Sequence, residues 1–508
     1  LGALIIALTL LVDDAMTTVD ASLRRLAAGD TKEQAATFAY RTLAAPMLAG
    51  TLITIAGFVP IGFARSSAGE YTFSIFAVVT IALLASWFVA VTFAPVIGMS
   101  VLKPPKDSGA EAKPGALLRA YQALVAGAIK VRWLTIAVTI ACFVAALYLL
   151  QFVPRQFFPS SDRPELLVNL TLRQNASIHA TETVVSRFEE ILAKDEDVDH
   201  WSSYVGRGAI RFYLPLDVQL ANPFFGQIVV VADDFDARLR LQPRLEKLLA
   251  EEFPNVVARI SPLELGPPVG WPLQYRVSGS DKDEVMRIAQ QVAGLMAQAP
   301  GARLVNFDWM EPARQLKVRV DQEQARQLGV SSGTIAATIN AAISGTTVTQ
   351  VRDDIYLVNV VARAVPEERM ALDTLRSLQV PIPGGRTVPI SQFTTFEYGD
   401  EFPIVWRRNR VSTLTVRADV NPGVLPDDVT AVLQPRIDEL NKTLPRGYRV
   451  ELGGIAEESA SSQASVFAVV PLMLLLMLTV LMFQLQSFRR LFVILAILPL
   501  SIIGVVLA

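Results

Sequence analysis

Asp13 and Asp14 stand side by side in the run LLVDDAM, with the mostly apolar residues 1–12 before them and AMTTV continuing the pattern after them. The first basic residue to follow is Arg24, about ten positions or ~15 Å further along a helix. That spacing puts the pair near the middle of a membrane span, where a carboxylate costs a few kcal/mol and an acid is functional by default. Desolvation and a neighbouring like charge both favour the neutral form of a carboxyl group, so such a pair offers uptake and release of a proton. Neighbouring residues point about 100° apart round a helix, so one acid can hold the proton while the other faces a partner or water. A proton falling through 100 mV supplies about 2.3 kcal/mol, enough to sustain a roughly fiftyfold solute gradient. Asp20 reads differently, as a solvated residue near the interface.

Other chemistries find little support. Cys142 is the single cysteine and lies in an apolar run, which excludes an intrachain disulfide and a thiolate cluster. His179 and His200 lack metal-ligand spacing. No phosphate-binding G-x-x-x-x-G-K-[ST] motif and no nucleophile–base motif is visible, so the chain reads as a non-enzyme without a cofactor. A net charge of −2 gives no bulk attraction to nucleic acid.

Charged residues make up only 19% of the chain, below the quarter or so usual for soluble proteins, and the apolar excess gathers at the two ends. Runs long enough to span a bilayer fall at 1–22, 38–63, 72–102, 132–153, 463–485 and 490–508, the first and last of them cut short. Both ends read as interrupted membrane helices, so a piece of a longer protein is expected. The basic loops 23–37, 103–131 and the turn at Arg489–Arg490 share one side by helix parity, which the positive-inside rule makes cytoplasmic; 154–461 then lies opposite. Loop 103–131 opens with the breaker-rich KPPKDSGAEAKPG and continues with an amphipathic helix on the membrane face.

The large segment alternates strand and helix. LLVNLTL, GQIVVVA and VVARI read as strands around TETVVSRFEEILAKD and RLQPRLEKLLAEEF; LQYRVSG, ARLVNFDW and QLKVRV surround KDEVMRIAQQVAGLMAQA; STLTVRAD and YRVELGG flank DDVTAVLQPRIDELNKTL. Gly453–Gly454 reads as a turn before a helix. These units predict split βαβ sandwiches: one over 154–265, a second from 266–320 and 401–461, and an insertion over 321–400. Trp201, Tyr204, Phe212, Tyr213, Phe224, Phe225 and Trp271 crowd the region and are the candidate lining of a pocket for amphiphilic molecules.

LLVDDAMTTVDASLRRLAAG resembles the fourth membrane helix of resistance–nodulation–division (RND) efflux permeases, whose pattern is V-D-D-A followed by V-E. GTLITIAGFVPIGFARSSAGEYTFSIF resembles the fifth and sixth helices, LELGPPVGWPLQYRVSG and DQEQARQLGVS look like porter- and docking-domain signatures of the drug-efflux branch, and QSFRRLFVILAILPLSIIG resembles the eighth-to-ninth helix turn. The resemblance implies a polytopic α-helical membrane protein with a large periplasmic α+β region of ferredoxin-like porter subdomains and an inserted docking subdomain. It implies Asp13 and Asp14 as the proton relay, a homotrimer in the bacterial inner membrane, and work with a periplasmic adaptor and an outer-membrane channel. Asp20 replaces the family glutamate, and SYVGRGAIRFYLPL stands where the best-known drug pumps carry a glycine- and phenylalanine-rich switch loop. The metal-exporting branch carries a further acid where this chain has Ala7. A metal-cation pump and a non-pumping scaffold or sensor are the competing readings.

Overall fold

Among the described residues of the computed structural model, six helices are long and apolar enough to cross a membrane. The structure describes residues 2–101, 116–153 and 160–507; the side chains of Asp13, Ala39, Met370 and residues 116–118 are outside it, as is the breaker-rich stretch 103–115. Helices α1 (Gly2–Ala27), α2 (Lys32–Phe63) and α3 (Ser67–Val101) pack on one another. Each runs past its apolar stretch into polar residues. At the start of α2, Thr31 and Gln34 exchange side-chain and backbone hydrogen bonds as a capping box. Where lipid offers no hydrogen bonds, side chains knit the helices through backbone carbonyls: Ser86 donates to Leu11 O at 3.1 Å, Trp87 Nε1 to Ala44 O at 3.0 Å and Lys32 Nζ to Met99 O at 2.9 Å. Helix α4 (Ala116–Lys130) leads into α5 (Arg132–Leu149), whose side chains are almost all exposed, as befits a helix solvated by lipid.

The chain then builds a βαββαβ sandwich from β1 (Glu165–Thr171), α6 (Ile178–Leu192), β2 (Val198–Val205), β3 (Phe225–Ala232), α7 (Phe235–Glu252) and β4 (Val257–Pro262), with antiparallel order β2-β3-β1-β4. Alternate residues Leu166, Val168 and Leu170 of β1 meet Val185, Phe188 and Leu192 of α6 and Leu241, Leu245 and Leu249 of α7, the strand and helix periods superposed on one core. Strand β2 is absent from the sequence reading. It is an edge strand of half-exposed residues, so its alternation is faint.

A second sandwich repeats the topology with β5 (Leu273–Gly279), α8 (Lys282–Ala297) and β6 (Ala302–Phe307). The chain leaves it before completing it. Strand β7 (Ala313–Val320), helices α9 (Gln322–Gln327) and α10 (Ser332–Ile343), hairpin β8 (Thr346–Asp353)–β9 (Tyr356–Ala362), helices α11 (Pro366–Met370) and α12 (Leu372–Ser377), hairpin β10 (Gln379–Ile382)–β11 (Arg386–Pro389) and β12 (Thr394–Glu401) form the inserted unit. Strand β7 pairs along its whole length with β12. The insertion therefore takes in 313–320, which the sequence pattern grouped with the second sandwich, and turn-rich 381–391 is a hairpin. Its small core gathers Ala325, Val330, Ile335, Val380, Ile390 and Phe393. The chain returns through β13 (Arg407–Arg408), β14 (Val411–Val420), α13 (Pro426–Thr443) and β15 (Arg449–Gly453), giving the order β6-β14-β5-β15 around Tyr275, Ile288, Trp309, Leu414 and Leu433.

Strand β15 runs straight into the membrane helix α14 (Gly454–Leu485), followed by α15 (Phe488–Ile497) and α16 (Ser501–Leu507). Gly454 makes the turn at φ +74°, and a Cβ there would stand 2.6 Å from Pro272 O. Helix α14 packs on α2 and α3, with Ser465 Oγ 2.8 Å from Ser66 Oγ, while α5 packs on α16.

Two stability outcomes follow. Gly454→Ala, carrying a left-handed cost of about 1–2 kcal/mol plus the clash, lowers the thermal midpoint of the detergent-solubilised protein; Gly294→Ala, mid-helix in α8 with open space around it, raises it through a gain of roughly 0.5–1 kcal/mol. Phe188→Ala in the first core costs about 3–5 kcal/mol, whereas Val348→Ala on the exposed β8–β9 hairpin stays within about 0.5 kcal/mol, both read by chemical denaturation.

Candidate functional site

Helix α1 presents one buried stripe to α2 and α3. Ala7 touches Val79 and Leu83 of α3, and Thr18 and Ser22 are 2% and 5% exposed. Asp14 falls on this stripe and is half-buried. Thr18 Oγ1 donates to Asp14 O at 3.0 Å and approaches Met47 Sδ of α2 at 3.7 Å, and Ser22 Oγ donates to Thr18 O at 2.9 Å. One turn before Asp14, Leu11 O takes the Ser86 bond. Backbone position 13 lies about 100° round the helix, in register with Ile6, Met16 and Asp20, all exposed. Asp14 thus lies on the packed face, and backbone position 13 flanks it. Asp20 pairs with Arg24 at 2.8 Å on the exposed surface, as its solvated reading expects.

The second candidate site lies between the sandwiches. Ion pairs pin them: Arg303 of β6 to Glu246 of α7 at 2.5 Å, Arg259 of β4 to Asp419 of β14 at 3.3 Å, and Arg173 to Glu311 at 3.6 Å. Among the described residues, four cavities lie between the sandwiches, and two of them adjoin at Thr171, Val257 and Met310. The larger, about 970 Å³, is lined by Thr171, Asn175, Val257, Phe307, Trp309 and Glu311 among others; the smaller, about 320 Å³, by Phe224, Phe225, Trp271, Trp406, Asp308 and Arg417 among others.

Three of the seven aromatic candidates, Phe224, Phe225 and Trp271, therefore meet at one cavity. The other four do not line either cavity. Trp201 packs on the first core and donates Nε1 to Glu189 Oε1 at 3.4 Å. Tyr204 and Tyr213 pack with Leu167, Leu216 and Leu263, and Phe212 is exposed beside Tyr213. Trp201, Tyr204 and Tyr213 thus pack within the first sandwich.

Charged residues at the cavity escaped the sequence reading. The guanidinium groups of Arg259 and Arg417 lie 5.2 and 5.4 Å from the Trp271 ring. Burial pushes the Asp308 carboxyl above its ordinary range, opposed by its bond from Thr415 N; burial likewise depresses the Arg417 guanidinium. Glu264 is raised by burial, with the Arg259 charge working against that. The available signal was Arg417 itself, a cation placed mid-strand in STLTVRAD.

The description of the AcrB/AcrD/AcrF family matches residues 1–508. The toluene efflux pump membrane transporter TtgE of Pseudomonas putida is 25% identical over all of this chain and 49% of its own length; the multidrug export protein AcrF of Escherichia coli is 24% identical over 99% of the chain and 50% of its own. The chain thus spans about half the length of the curated relatives it matches. A crystal structure of a heavy metal efflux pump shares the fold at a TM-score of 0.72 and 21% identity, over 95% of this chain and 50% of that one. With its long apolar helices and paired sandwiches, the chain belongs to the AcrB/AcrD/AcrF family of RND efflux permeases.

Proposed function

We propose that the chain is part of a proton-driven exporter of amphiphilic compounds in the bacterial inner membrane, with Asp13 and Asp14 as its proton relay. The observation that carries this reading is the acid pair midway along α1, with Asp14 on the face packed against α2 and α3. Protonation of either acid removes a charge from the hydrocarbon and turns an acceptor-only group into a donor, which changes how α1 sits against its neighbours. Helix α14, packed on α2 and α3 and continuous with β15, carries that change to the second sandwich. There Arg276 of β5 grips Glu457 of α14 at 2.6 Å. The cleft between the sandwiches, with Phe224, Phe225 and Trp271 beside polar groups, then serves as the substrate site.

On this reading residues 154–461 lie in the periplasm, the basic loops face the cytoplasm, and the whole protein is a homotrimer working with an adaptor and an outer-membrane channel. The names of the relatives speak for organic cargo, toluene and multiple drugs. The heavy-metal cargo of the structural neighbour does not carry over at 21% identity. Where the metal branch resembles this helix but adds an acid, this chain has Ala7, 1% exposed and packed on Val79 and Leu83.

The test is dye efflux from a pump-deficient host expressing the intact gene. Asp13→Asn and Asp14→Asn, at equal membrane levels, each lower the efflux rate more than about tenfold, and an uncoupler does the same to the wild type. Efflux that survives both substitutions would mean that the proton crosses elsewhere.

A further inference from the structure

We infer that α4 is a binding surface for anionic phospholipid: its apolar side rests in the boundary between headgroups and acyl chains, and Arg119 and Lys130 hold the phosphates of the lipids around it.

Helix α4 stands outside the hydrocarbon. The apolar span Arg132–Phe152 runs for 21 residues, about 31 Å of helix, which by itself matches the ~30 Å thickness of the hydrocarbon. No depth is left there for α4, and α4 does not prolong the span. Val131 departs from helical geometry at φ −104° and ψ 41°. Ala128 O, a carbonyl at the end of α4, accepts from Thr135 Oγ1 at 2.9 Å. The helix is therefore broken at the membrane boundary, with α4 on the outer side of the break.

One side of α4 is apolar and uncovered. Tyr121, Leu124, Val125 and Ile129 follow the spacing of a single helix face, and Leu124 and Ile129 are 71% and 69% exposed. Water is a poor solvent for such a face, and acyl chains begin beside it at Arg132.

The other side carries only cations. Arg119 and Lys130 fall within about 20° of one line along the helix, on the side opposite Tyr121, and both are exposed. Arg132 follows at the break, and no Asp or Glu occurs from 114 to 161. A helix set ~5–10 Å into the headgroup boundary has phosphates level with its upper side, within reach of a Lys or Arg arm. An apolar face towards the chains and a cationic face among the headgroups prefers an anionic bilayer surface to a zwitterionic one. An acidic protein surface would answer Arg119 and Lys130 but leave Leu124 and Ile129 in water.

Quenching by labelled lipid tests this on the purified intact protein, its native cysteines replaced, in phosphatidylcholine nanodiscs. A bimane fluorophore on Leu124→Cys meets doxyl-chain lipid, supplied at equal fractions either as phosphatidylglycerol or as phosphatidylcholine. Phosphatidylglycerol is expected to quench about fivefold more effectively, the factor for one cation near a charged surface. Combining Arg119→Gln with Lys130→Gln brings the preference below about twofold, and so does salt at about 0.5 M, which shortens the Debye length to a few ångströms. The same fluorophore on Val144→Cys, exposed within α5, is quenched alike by both lipids in every variant and reports that α5 stays in the bilayer. Equal quenching by the two lipids at Leu124→Cys would reduce α4 to plain apolar anchoring and overturn the anionic preference. A preference that survives the double substitution would take the phosphate contacts away from α4. No quenching by either lipid would mean that water or another part of the protein covers this face, and the lipid surface would be lost altogether. None of these outcomes depends on whether the protein exports.

Discussion

In the proposed reading, a carboxylate in hydrocarbon is the constraint around which the rest of this molecule is organised. Lipid solvates neither the backbone nor a charge, so the helix that carries Asp13 and Asp14 must satisfy its polar groups internally or through its neighbours. The short hydroxyl side chains do this locally: Thr18, Ser22 and Ser86 each donate to a carbonyl on or along α1. Of these only the Ser86 bond crosses from a neighbouring helix, and with Thr18 against Met47 and Ala7 against Val79 and Leu83 it marks the packed stripe on which Asp14 lies. The split between the two acids is a consequence of helix geometry, since no straight helix can bury both members of an adjacent pair on one face.

In the proposed relay a proton on this helix is felt at a distance, and the connection available to it is covalent. Strand β15 continues into α14 with only the Gly453–Gly454 turn between them. Gly454 is held against Pro272 so closely that a side chain has no room. Arg276 to Glu457 and Ser67 to Glu458 at 3.5 Å bracket the upper end of α14 from the sandwich and from α3. A tilt of α14 therefore moves the second sandwich with little slack, whereas the first sandwich is joined to it mainly through salt bridges.

How much of this was legible in the sequence depended on how strongly each element patterns. The membrane spans announced themselves because each needs about 20 apolar residues, and the core strands because both periods converge on one interior. Strand β2 was illegible since an edge strand buries little. The β8–β9 hairpin was illegible for a related reason: Val348, Val351, Leu357 and Val360 stand exposed on it, so no alternation separates inside from outside. The boundary at 320 misled because QLKVRV reads as a strand whichever sheet claims it; only the long-range pairing with 394–401 decides. Aromatic content located the cleft poorly, because a ring packs equally well in a sandwich core, as Tyr204 and Tyr213 do. The charged cleft residues had a plainer signature, since a cation in mid-strand such as Arg417 must find compensation somewhere in three dimensions.

The character of the joint between the sandwiches bears on what it can do. Apolar interfaces bury best in one register and resist sliding, while partly exposed ion pairs such as Glu246–Arg303 and Arg173–Glu311 are worth little singly and exchange readily with water. Arg259–Asp419, 7% and 9% exposed, is the buried exception, and breaking it leaves uncompensated charge. Arg303 also lies 3.7 Å from the same Asp419 oxygen, so this pair and Glu246–Arg303 form one network and only Arg173–Glu311 stands apart on the exposed surface. The ion pairs join the sandwiches outside both hydrophobic cores, so in the proposed exporter the cleft can change shape without either core being disturbed.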